Sequence, residues 1–284
     1  MQAAPSLFDP AGTYRRFEAL LAKADAELVV FPEAFVGGYP KGATFGATVG
    51  ARTDAGRALF ARYRRAAVDD FDQLRRTTAK HQVHVVVGVI ERAGHTLYCT
   101  ALLIAPDGTL LGHHRKLVPT GTERLIWGQG DASDVTVVDT DLGRVGVAIC
   151  WENYMPLYRS ELYRQGVELY CAPTVDCRDT WAATMRHIAV EGRCFVLSAT
   201  QFAVRDDYPP DFPTTDEIVI RGGSCVVDPF GTLLAGPVFD REDILTADLD
   251  LDLLDGAYLD LDVSGHYARP DLFQLTTTRQ APRV

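Results

Sequence analysis

Apolar and polar positions change period several times along the chain, and each change predicts an element. Phe17, Leu20, Leu21 and Ala24 recur at helical spacing behind Thr13, a residue able to cap that helix. Residues 28–31 form a short apolar run that predicts a buried strand. Phe60, Tyr63, Ala67, Phe71, Leu74 and Thr78 then make one helical stripe across residues 57–80. The nearly continuous β-branched run at 83–90 predicts a strand covered on both faces. Residues 102–112 (LLIAPDGTLLG) and 226–236 (VVDPFGTLLAG) each place a Pro-x-Gly turn between apolar runs, so both predict hairpins and hint at an internal two-fold repeat. Further strands are expected at 145–150, 167–172, 194–200 and, half exposed, at 244–251. Helices are expected from Pro156 and along Trp181, Met185 and Ile188.

Strands alternating with helices, with hairpins mixed in, predict an α/β fold layered helix, sheet, sheet, helix. No linker or low-complexity stretch interrupts residues 1–284, so one domain is expected. Hydrophobic residues make up 47% of the chain, enough for a sizeable core. A formal net charge of −10 without a basic stripe excludes a general nucleic-acid binder. No apolar run has membrane-spanning length, and no secretory signal is visible. The six cysteines show neither a CxxC pair nor zinc spacing, which points to reduced thiols, no metal and the cytoplasm.

Three chemically useful residues fall at predicted strand ends: Glu33, Lys116 and Cys150. A thiol needs a base or a cation beside it to attack at neutral pH. Glu33 can take its proton, and Lys116 can lower the thiol pKa and hold developing negative charge. Each residue viewed alone has a blander explanation: an inert buried cysteine, a surface carboxylate and a solvated lysine.

The local motifs change that balance. Residues 29–42 (VVFPEAFVGGYPKG), 114–130 (HRKLVPTGTERLIWGQG) and 146–157 (GVAICWENYMPL) resemble the nitrilase family of the carbon–nitrogen hydrolase superfamily. Residues 172–181, 185–193 and 265–273 extend the resemblance over nearly the whole chain. It implies a four-layer α-β-β-α sandwich, with Glu33, Lys116 and Cys150 as a catalytic triad and Glu123 as a second active-site glutamate. Trp151, Glu152, Asp176 and Trp181 would support or line the substrate pocket, although core packing explains Trp181 equally well. The Trp151-Glu152 pair leans toward nitriles, because the superfamily's amidases carry Tyr-Asp there. The implied reaction turns an organic nitrile, aryl or arylaliphatic, into a carboxylic acid and ammonia without a cofactor, in a homodimer or larger homo-oligomer. An amidase of the same superfamily, a cyanide-hydrating relative and a non-catalytic assembly protein are the alternatives.

The resemblance departs at the beginning. Family members carry apolar residues ahead of a QAAP segment that form a first strand, whereas this chain opens Met1-Gln2-Ala3-Ala4-Pro5. The first strand is therefore expected to be missing or cut short, leaving a gap beside its neighbour.

Overall fold

Two β-sheets lie face to face, and each is covered by helices on its outer side. The computed structural model describes residues 1–131 and 137–278. The first sheet has the order β1 (Leu28–Val30), β2 (His84–Ala93), β3 (Thr96–Ile104), β4 (Leu110–Arg115), with β1 parallel to β2 and the rest antiparallel. The second sheet contains β5 (Val138–Thr140), β6 (Gly143–Val147), β7 (Leu169–Thr174), β8 (Phe195–Thr200), β10 (Ile218–Val227) and β11 (Leu233–Phe239); a short β9 (Phe202–Val204) pairs with β10. β6, β7 and β8 run parallel in register, and both predicted hairpins form, as β3–β4 and β10–β11.

The burial pattern explains the layers. β2 is covered at every position from His84 to Glu91, as its β-branched run predicts. Val85, Val87 and Val89 pack with Phe17 and Leu20 of α1 (Pro10–Leu21) and Leu74 of α3 (Asp72–His81). Val86 points the other way and meets Leu103, Leu169, Cys171 and Phe195 between the sheets. Beyond the second sheet, Leu162 of α4 (Pro156–Arg164) and Met185 and Ile188 of α5 (Asp179–Gly192) pack on Tyr170, Val196 and Val227. Each such aliphatic side chain contributes about 1.5–3 kcal/mol by leaving water. The four-layer α-β-β-α sandwich follows from these faces.

Several elements differ from their sequence prediction. The single helical stripe at 57–80 is two helices, α2 (Asp54–Ala66) and α3. Between them the chain extends: Val68 donates its amide to Ile90 O at 2.9 Å and accepts from Arg92 N at 2.6 Å. β1 is so short that the edge of β2 beyond it is open, and Val36 and then Val68 pair with it. Asp9, not Thr13, caps α1 by accepting from Gly12 N at 2.9 Å; Thr13 is buried in the first turn. Residues 244–251 alternate in exposure but join no ladder, apart from a single bridge just before them between Gln2 and Asp243.

Residues 1–4 are buried. The Met1 amino group donates to Val30 O at 2.8 Å. Gln2 Oε1 accepts from the amides of Gly223 and Ser224, both at 2.9 Å, and so ties the opening of the chain to the second sheet. β1 has no strand partner other than β2 among the described residues, and a narrow groove lined by Met1, Leu28, Leu197, Cys225 and Leu245 runs beside it. No helix among the described residues is long and apolar enough to cross a membrane.

Glu91 fastens the end of the first sheet from which Lys116 emerges. Its carboxylate accepts from Thr100 Oγ1 at 2.8 Å and from Arg115 Nε at 3.0 Å, and lies 3.0 Å from His113 Nε2. Burial opposes its charge, but His113 and Arg115 outweigh burial and hold its pKa at about 2. A carboxylate depressed in this way adds stability above its ordinary pKa and loses it as pH falls toward about 2. Glu91→Gln is expected to cost about 2 kcal/mol at neutral pH, read from urea unfolding, with the difference from wild type shrinking in acid. An unchanged midpoint at neutral pH would remove Glu91 as a fastener.

Candidate active site

Four functional groups converge where loops leave the two sheets. Glu33 stands three residues beyond β1. Its backbone lies directly on β2, and only a glycine permits that approach: a Cβ on Gly88 would sit 2.4 Å from Pro32 O and 2.7 Å from Glu33 Cα. Lys116 follows β4 immediately. Its amide donates to Cys99 O and its carbonyl accepts from Gly130 N, each at 2.8 Å. Gly130 plays the same part as Gly88, since a Cβ there would meet Arg115 O at 2.1 Å. Glu123 sits on a single 3-10 turn, Gly121–Leu125. Cys150 opens another, Cys150–Tyr154, three residues past β6, so it does not close the strand as the apolar run at 145–150 predicts.

Cys150 has φ +50°, an uncommon conformation for a residue with a side chain. Its surroundings over-determine it. Asn153 Nδ2 donates to Ala148 O at 3.0 Å and to Cys150 O at 2.7 Å. The result is a sharp turn that presents the sulfur to the space between the sheet ends.

Lys116 is the centre of the cluster. Its ammonium donates to Glu33 Oε1 at 2.7 Å and to Glu123 Oε2 at 2.8 Å, with no solvent exposure of the lysine side chain. Glu123 is held further by Thr120 N at 2.6 Å on Oε2 and by the Tyr39 hydroxyl at 2.8 Å on Oε1. Burial alone would lower the lysine pKa, but the charges of Glu33, Cys150, Cys99 and Glu123 outweigh it and keep the ammonium well above its ordinary range. Burial pushes the Glu33 carboxyl above the usual carboxylate range, with Glu123 adding to it and Lys116 opposing. Cys150 is raised as well, first by burial and then by Glu33, more than Lys116 lowers it. The resting cysteine is therefore a neutral thiol beside a carboxylate of raised basicity: Lys116 pulls the thiol pKa down as expected, but less than burial and Glu33 push it up.

A cavity of about 440 Å³ opens beside Cys150, with Tyr39, Phe45, Trp127 and Trp151 among its walls and Glu123 and Asp176 among its polar groups.

Comparison with known proteins places this geometry. Residues 1–258 match the family model described as carbon-nitrogen hydrolase. The chain belongs to the carbon–nitrogen hydrolase family. It is 52% identical over 292 residues to the aliphatic nitrilase of Sinorhizobium fredii (strain HH103), covering 99% of this chain and 94% of that one. It is 50% identical over 291 residues to the bifunctional nitrilase/nitrile hydratase NIT4B of Nicotiana tabacum, covering 97% of this chain and 84% of that protein. The crystal structure of Saccharomyces cerevisiae Nit3, a member of branch 10 of the nitrilase superfamily, shares the fold with a TM-score of 0.71 at 20% identity, covering 94% of this chain and 93% of that one.

Not every residue predicted to belong to this carbon–nitrogen hydrolase's pocket reaches it. Trp151 and Asp176 do, joined by a 2.9 Å bond from the indole Nε1 to Oδ2. Arg178 pairs with Asp176 and lies 4.8 Å over the Trp151 ring. Glu152 turns away from the cavity and is buried. Its carboxylate accepts from Leu117 N and Ile149 N, each at 2.7 Å, and from His114 Nε2 at about 3 Å, so it clamps the backbone next to Lys116 to the backbone next to Cys150. Trp181 is core: its Nε1 donates to Ser198 Oγ at 2.8 Å inside the outer layer. Two neighbours of the cluster escaped the sequence reading. Tyr39 stands in the GGYPKG motif, where its position hinted at the site. Cys99 sits in the largely apolar β3, and nothing in its sequence neighbourhood marks it.

Gly88→Ala tests whether Glu33 depends on that close approach. The added methyl must displace the Glu33 backbone, and an ångström of misplacement costs about a hundredfold in rate. Hydrolysis is expected to fall at least tenfold, with a destabilisation of about 1–3 kcal/mol. Gly256→Ala, inside the helix Leu253–Asp260 with nothing within 4 Å of the new methyl, is the control, expected to leave turnover unchanged and to stabilise the fold by up to about 1 kcal/mol. A Gly88→Ala enzyme with wild-type turnover would show that Glu33 does not need this placement.

Proposed function

We propose that this chain is a nitrilase that converts an organic nitrile into its carboxylic acid and ammonia, with Cys150 as nucleophile and Glu33 as base. The observation that carries this reading is the buried ammonium of Lys116, bonded to both Glu33 and Glu123 beside the Cys150 cavity. The names of the relatives at 50–52% identity support the nitrile as substrate.

The steps follow from the groups present. The Cys150 sulfur adds to the nitrile carbon as Glu33 takes the thiol proton and passes it to the nitrile nitrogen, giving a thioimidate. Glu33 then deprotonates a water that adds to the same carbon. The tetrahedral species expels ammonia, its nitrogen protonated by Glu33, and leaves a thioester. A second water, activated in the same way, releases the acid and restores the thiol. Two waters are consumed per nitrile. Lys116, with an N–H beyond those given to the two glutamates, and the Trp151 amide at the start of its turn hold negative charge as it develops. Glu123 fixes Lys116 and is itself fixed by Tyr39.

Aromatic walls favour a flat, apolar substituent, so an aryl or arylaliphatic nitrile is the proposed substrate. A relative named aliphatic nitrilase supports straight-chain nitriles as the second reading. The tetrahedral species could also expel sulfur instead of nitrogen and release an amide, in line with the bifunctional name of the tobacco relative. The protein is further proposed to act in the cytoplasm, as one domain, in a homodimer or larger homo-oligomer.

Cys150→Ala is expected to abolish ammonia release from phenylacetonitrile while far-UV dichroism stays native; wild-type turnover would refute the nucleophile. Phenylacetamide should be hydrolysed far more slowly than the nitrile by the unaltered enzyme, and the reverse order would make the protein an amidase. The base must be ionised, and Glu33 is raised, so kcat/KM should fall with acid at a pH above the usual carboxylate range. An acid limb at or below the ordinary glutamate value would contradict Glu33 in this role.

A further inference from the structure

We propose that Cys99 is a positioning residue that aims the Glu33 carboxylate, an inference that rests on Glu33 being the base. Cys99 lies in β3 and is buried. It touches two of the catalytic groups at once. Its thiol donates to Glu33 Oε1 across 3.4 Å, and its carbonyl accepts from the Lys116 amide at 2.8 Å.

The consequence is an asymmetry between the two carboxylate oxygens. Oε1 receives both Lys116 Nζ, at 2.7 Å, and the Cys99 thiol. Oε2 is buried and has no hydrogen-bond partner. The terminal torsion of a glutamate is soft and roughly two-fold, so one donor alone lets the oxygens exchange roles. Two donors on one oxygen hold the plane and leave Oε2 as the basic atom for the Cys150 proton. Burial and the charge of Glu33 both raise the Cys99 pKa, so the thiol keeps its proton and remains a donor. Cys99 is also outside the cavity wall that contains Cys150, which separates its role from that of a nucleophile.

Removing a donor from an ionised carboxylate raises its pKa. The other groups facing Glu33 are Lys116 after β4, Glu123 on the turn that follows, Cys150 from the second sheet and, farther out, the hydroxyls of Tyr39 and Tyr63. All of them stay in place when position 99 changes. Cys99→Val keeps the volume and loses the donor, whereas Cys99→Ser keeps a donor. With phenylacetonitrile, Cys99→Val is expected to lower kcat about three- to tenfold with little change in KM, and to move the acid limb of kcat/KM to higher pH. Cys99→Ser should stay within about twofold of wild type in kcat, with its acid limb unmoved. A purely structural role would lower the yield of folded enzyme without moving that limb. The inference is overturned if the acid limb of Cys99→Val coincides with wild type, or if Cys99→Ser loses as much as Cys99→Val. Glu33→Gln measured alongside keeps the two ideas apart. Turnover in Glu33→Gln removes the base itself, while an inactive Glu33→Gln with an unaffected Cys99→Val removes only the positioning.

Discussion

A lysine ammonium with no access to water sits between two carboxylates, and the rest of the site depends on that arrangement. Burying charge is costly unless pairing and hydrogen bonds compensate, and here they do for most of the cluster, Glu33 Oε2 excepted. Glu33 and Glu123 take one lysine N–H each, Thr120 and Tyr39 satisfy Glu123, and Trp127 lies 5.9 Å from the ammonium. Loss of any partner would leave an uncompensated charge in the interior. The cavity wall carries Cys150 and Glu123, and the ammonium of Lys116 lies behind that wall, bonded to Glu123 and Glu33.

The fold supplies this arrangement through close backbone approach. Gly88 lets the segment bearing Glu33 lie on β2, and Gly130 lets the loop after Glu123 lie against the chain at Arg115 and Lys116. Glu152 joins the two halves of the sandwich, because its carboxylate binds one amide from the Lys116 side and one from the Cys150 side. His114, stacked on Tyr158, completes that clamp, and the Tyr158 hydroxyl donates to Val147 O at 2.6 Å. The packing of four layers therefore reaches the chemistry through a few named contacts and not through the core in general.

Much of this was legible from residue order. The strand at 83–90 is readable because β-branched residues in a continuous run suit a position covered on both faces. The two Pro-x-Gly hairpins carry their own turn chemistry. Other features depend on what lies opposite. The helical stripe at 57–80 continues in sequence through Ala67 and Phe71, and only the open edge of β2 decides that the chain extends there. Residues 244–251 have the alternation of a strand, but among the described residues no neighbour pairs with them in a ladder. Motif position brought out Glu33, Lys116, Glu123 and Cys150, yet a carboxylate's place in a motif does not reveal its direction: Glu152 turns inward to the clamp while Asp176 faces the cavity. The same limit hid Cys99, whose neighbours in β3 are apolar and whose thiol meets Glu33 only in three dimensions.

The electrostatics define how such a site stores its reactivity. Burial raises both Cys150 and Glu33, which leaves a resting thiol beside a carboxylate of raised basicity. In the proposed reaction, attack by a neutral thiol is coupled to transfer of its proton to Glu33. The most direct measurement is the thiolate absorbance band in the ultraviolet, taken as the difference between wild type and Cys150→Ala at neutral pH without substrate. No difference is expected. A full thiolate band from Cys150 at neutral pH would contradict a resting thiol, and with it the role of Glu33 as the base that removes its proton.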